Sequence, residues 1–119
     1  MSERMTTNAQ IPLEYWVGVE QAGVVYQNAP VDPEHIDEIV IGLRSDEEDS
    51  DPQAPLLGGR PQVHLAGTPR ALEALGRYLI SLARLQTLDQ EFHEHFEDVQ
   101  NDDGGTVHLI VRRLAHPPK

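Results

Sequence analysis

An α+β domain is the fold class this sequence predicts, with one long helix packed on one face of a mainly antiparallel sheet of about six strands. Three observations predict it. A single long stretch carries apolar residues at helical spacing. Several short stretches alternate apolar and polar residues, which is strand periodicity. Strand-like stretches flank the helix on both sides in the chain, giving the order β-β-β-β-α-β-β, so strands from before and after it must share one sheet. One helix covers only one face, so the other is expected to stay wet or to become an interface. The 119 residues fit one domain, 1–119, with a loose leader at 1–11, an acidic flexible loop at 45–60 and a tail at 114–119.

From Leu13 the pattern has period two, with Leu13, Tyr15, Val17 and Val19 on one face. Gln21-Ala22-Gly23 can turn the chain and Val24-Val25-Tyr26 returns, which reads as a hairpin. Pro30 and Pro33 break the pattern. Ile36 to Leu43 reads as a third strand with Ile39, Ile41 and Leu43 toward the core, and Gln62 to Ala66 as a fourth with Val63 and Leu65 inward. Thr68 is a good N-cap, and Pro69 suits a first helical position. Leu72, Leu75, Leu79 and Leu82 then mark an apolar helix face over about Pro69 to Leu88, with Arg70, Arg77 and Arg84 on the solvated back. Phe92 to Phe96 alternates, and Thr106 to Arg112 is a strand with Val107, Leu109 and Val111 on one face.

Composition excludes several classes. There is no cysteine, so disulfides, thiolate nucleophiles and cysteine zinc sites are out. Twenty acids against nine bases give a formal charge of −11. Such a surface repels nucleic acid and anionic membrane and attracts a basic protein. The acids concentrate early: residues 1–60 hold twelve of them against three bases. No apolar leader and no membrane span is visible, so the expected compartment is the bacterial cytoplasm.

Few side chains offer chemistry. Asp46, Glu47, Glu48, Asp49 and Asp51 form an acidic run that lacks the spacing of a calcium loop and is expected to be solvated, mobile and a lure for a basic partner. His93 and His95 are two apart, so on a strand they share a face and are candidate ligands for a divalent metal. His64 and His108 occupy the polar phase of their own strands and would join that patch if the strands were neighbours, with Glu97 or Asp98 nearby. No other cofactor is indicated. No serine lies in a nucleophile elbow, and Gly58-Gly59-Arg60 is too short for a phosphate loop. No catalytic residue is assigned.

The second half has a distinctive order. Val63-His64-Leu65-Ala66-Gly67-Thr68-Pro69 runs into the helix, followed by His93-Glu94-His95-Phe96-Glu97-Asp98 and then Gly105 to Arg112. Over about residues 63–113 this resembles the bacterial immunity protein 32 family, predicted antidotes of polymorphic toxins. Thr68 stands where that family often has Asn after its Gly, and it still caps a helix. The resemblance implies a non-enzymatic protein that binds and blocks a toxin domain. The residues themselves leave open a metal- or small-ligand-binding domain using the His93/His95 face, or a small enzyme.

Overall fold

The structure is a computed structural model, and it describes residues 3–18, 20–21, 24–25, 28–45 and 60–118. The acidic run 46–51 lies outside the described residues. Four short strands come first: β1 (Tyr15–Trp16), β2 (Glu20–Gln21), β3 (Val24–Val25) and β4 (Ala29–Pro30). A 3-10 turn, Ile36–Glu38, leads into β5 (Ile39–Ser45). Then follow β6 (Pro61–Gly67), the helix α1 (Pro69–Ala83), β7 (His93–Asn101) and β8 (Thr106–Arg112).

The α+β class stands as expected, and the described residues hold one long helix. The strands from both sides of α1 share one four-stranded sheet of order β6-β5-β7-β8. Its β5–β6 and β7–β8 pairings are antiparallel, and its central β5–β7 pairing is parallel. The early strands make separate two-stranded ladders, β1 with β4 and β2 with β3. Two-residue strands offer too little backbone pairing to extend a sheet, and Pro30 in β4 has no N–H to donate to a ladder.

Thr68 caps α1: its Oγ1 accepts from the Ala71 N–H at 3.3 Å, and Pro69 takes the first turn. The helix stops at Ala83, sooner than the apolar spacing alone suggests. Arg113, just past β8, explains the stop. Its guanidinium donates to Leu82 O at 3.1 Å and Leu85 O at 2.9 Å, and to Asp89 O at 3.3 Å. A fixed cation thus takes carbonyls that a continuing helix would have needed.

Ala71, Leu75, Tyr78 and Leu82 pack with Ile39, Ile41 and Val99 to form the core, with Phe92, Phe96, Val107, Leu109 and Val111 around it. A second flank of α1 is covered by the N-terminal segment, where the Tyr15 hydroxyl donates to Ser81 O at 3.1 Å and Pro30 is fully buried.

Candidate functional site

Five side chains expected inside lie partly in solvent, and those on and beside β6 make the first surface of interest. Ile39 pairs with Gly67, Ile41 with Leu65 and Leu43 with Val63, so all six residues sit on the helix-bearing face of the sheet. Ile39 and Ile41 are buried, but Leu43 is 66% exposed, Val63 73% and Leu65 54%. The periodicity chose the right face, yet the helix does not reach over its far end. Leu72 and Leu79, seven apart on α1, are also open, at 42% and 44%. Leu72 lies beside Gly67, at the end of β6, and Leu79 lies two turns farther along α1. β6 is an edge strand of the sheet. An edge strand with uncovered apolar side chains is a natural docking element.

The opposite face carries the histidines. Glu94 and Phe96 point to α1, where the Tyr78 hydroxyl donates to Glu94 Oε1 at 2.8 Å and the Tyr78 and Phe96 rings meet edge-on at 5.4 Å. His93 and His95 therefore face away, and both are exposed. They share that face with His108, Ile110 and Arg112 of β8. The ring centroids of His93 and His95 are 5.1 Å apart, and those of His95 and His108 are 5.0 Å apart. His95 Nδ1 and His108 Nε2 are 2.9 Å apart, a hydrogen bond between imidazoles. His64 does not join this row. β5 separates its strand from β7, and it bonds Gln62 Oε1 at 2.8 Å. Glu97 and Asp98 stand opposite the single His108 in a β-bulge, with Asp98 in the left-handed region at φ 62°. Among the described residues, no three His, Asp or Glu side chains converge to hold one ion.

Two electrostatic features are structural. Burial raises the Glu94 carboxyl above its usual range, nearby Asp32 adds to the rise, and the Tyr78 hydroxyl opposes it. The Tyr78 hydroxyl is itself raised, first by burial and then by Glu94. Glu38 is the reverse case. Arg70 makes a two-pronged ion pair with it, Thr68 donates to it at 2.5 Å, and its carboxyl falls to about 2. Arg70, expected on a solvated stripe, thus ties the start of α1 to the turn before β5. Arg77 lines a shallow cleft with Glu14, Asp32, Glu34, Tyr78 and Ser81. Sequence reasoning missed both Arg70 and Arg113 as tethers, because their partners lie far away in the chain.

The five acids proposed as a lure, Asp46, Glu47, Glu48, Asp49 and Asp51, all lie outside the described residues. Among the described residues, no helix is long and apolar enough to cross a membrane. Residues 62–114 match the family model for Immunity protein 32. That segment runs from β6 through α1 and β7 to just past β8, so it holds three of the four strands of the main sheet and the long helix α1. No curated protein and no solved structure matches the chain.

Proposed function

We propose that this chain is a toxin-immunity protein that works by stoichiometric binding of a basic protein partner, without turnover. One observation carries the reading. The segment that matches the immunity family is also the segment that displays Val63 and Leu65 on an edge strand and Leu72 beside its end, all partly in solvent. Soluble domains seldom leave several large apolar side chains open on one side without a partner for them. A strand of the partner adds along β6, and the apolar side chains fill pockets on it as anchors. The net charge of −11 selects a basic partner. Asp46, Glu47, Glu48, Asp49 and Asp51 speed the encounter and contribute little once the complex has formed.

The test is pull-down from the native host, together with growth rescue by co-expression with any toxin-like gene found beside this one. Val63→Asp and Leu65→Asp change exposed positions, so the protein stays folded by circular dichroism. Each is expected to weaken partner binding roughly ten- to a hundredfold, the scale of losing a buried anchor. The wild type failing to protect and capturing no partner would defeat the reading. Full protection by the Val63→Asp, Leu65→Asp double variant would defeat the assigned surface.

A further inference from the structure

We infer that His95 and His108 form a two-imidazole chelate for a divalent transition ion of the copper or nickel type, on the sheet face opposite the docking surface. The inference is independent of the immunity reading and rests on the geometry of that face.

Three observations lead to it. First, the two rings come from different strands, yet His95 Nδ1 and His108 Nε2 are 2.9 Å apart. Two nitrogens bound to one ion at about 2.05 Å are about 2.9 Å apart when they meet at a right angle, and about 3.3 Å apart at a tetrahedral angle. The observed spacing suits adjacent corners of a square or octahedral ion. Second, the bulge explains the approach. Between the pairs Phe96–Leu109 and Val99–Val107, β7 has two residues and β8 has only His108. Lacking a single residue directly opposite, the His108 ring lies against His95, its neighbour along the same face. Third, both residues are exposed, so an ion reaches them with its remaining positions held by water.

The chelate needs both lone pairs on the ion. In the ion's absence one ring donates its N–H to the other. Each neutral imidazole keeps one proton, so the donor ring moves its proton to its other nitrogen through solvent and both rings turn to face the ion. No proton is gained or lost in that exchange. His93 lies with its ring centroid 5.1 Å from that of His95, and among the described residues no third ligand converges. The described residues thus offer a bidentate site, and copper, at the top of the affinity order for nitrogen ligands, is its preferred occupant.

Tag-free protein titrated with Cu²⁺ by calorimetry tests this. One tight ion per chain is expected. His95→Ala and His108→Ala should each weaken it by at least about tenfold, since removing one arm of a chelate removes its effective-concentration gain. His93→Ala and His64→Ala should change it by less than about threefold. All four positions are exposed, so folding is checked by circular dichroism and is expected to persist. The Cu²⁺ paramagnetic resonance spectrum should show two equatorial imidazole nitrogens, and both should be lost in the His95→Ala, His108→Ala double variant. Equal affinity in wild type and the His95→Ala, His108→Ala double variant would overturn the proposal. So would equal losses at His64 and His108, or a spectrum with a single imidazole nitrogen.

Discussion

A methyl group added at Gly67 would meet Ile39 Cδ1 at 2.6 Å, with Glu38 O and Leu72 Cδ2 each at 3.3 Å. Ile39 is 0% exposed, so its δ-methyl has nowhere to retreat. Leu72 is partly open and can give a few tenths of an ångström. Overpacking of this kind costs about 1–3 kcal/mol. Replacing Gly with Ala returns about 0.4–1 kcal/mol by restricting the unfolded chain. Gly67→Ala should therefore destabilise by roughly 1–2 kcal/mol, a fall of several degrees in melting temperature for a domain of this size. Ile39→Val removes the very atom that clashes and by itself should cost about 0.5–1.5 kcal/mol for the lost methyl and the small void. In the double variant the alanine methyl fills that void, so the pair should be more stable than the sum of the singles by about 1 kcal/mol or more. Urea unfolding of the four proteins reads the coupling, with an unchanged slope as the check that only stability moved. Additivity within about 0.5 kcal/mol would refute the reasoning, because it would mean the two side chains do not share that space. So would a Gly67→Ala protein more stable than wild type.

The Glu38 carboxyl, held down first by the Arg70 guanidinium and then by the Thr68 hydroxyl, should titrate near 2 by carbon-detected NMR. Its folded value lies below its unfolded one, so its stabilisation is complete above the ordinary carboxylate range and fades as pH falls toward about 2; Arg70→Ala should raise the midpoint, and an ordinary midpoint in wild type would contradict the assignment. Arg113→Lys keeps the charge but loses the planar fork that spans Leu82 O, Leu85 O and Asp89 O, and should cost about 2 kcal/mol in denaturant unfolding. Unchanged stability in that variant would show that α1 ends at Ala83 for another reason.

The parts legible in the sequence are those with local causes. The Thr68-Pro69 start, the 3.6-residue spacing of Leu75, Tyr78 and Leu82, and the alternation of Thr106 to Arg112 each arise within a few neighbouring residues. The shared face of His93 and His95 is of the same kind, because strand geometry sends side chains two apart to one side. The immunity-family resemblance is also a matter of local order, and it spans the β6-to-β8 segment.

Tertiary structure decided how far one element covers another. Alternation assigned Leu43, Val63 and Leu65 to the helix-bearing face, but it carries no information on which part of that face the helix covers. That depends on the direction α1 takes: it starts beside Gly67, at the Ile39 end of the β5–β6 pair, and runs toward Glu94 and Arg113, away from Leu43 and Val63. The partner of His95 was likewise nonlocal: His108 reaches it and His64 does not, because β5 inserts between β6 and β7 and a bulge sits opposite His108. Strand order and bulges are set by which long-range pairings bury the most apolar surface with every backbone group satisfied, a competition among distant segments that no window of sequence contains.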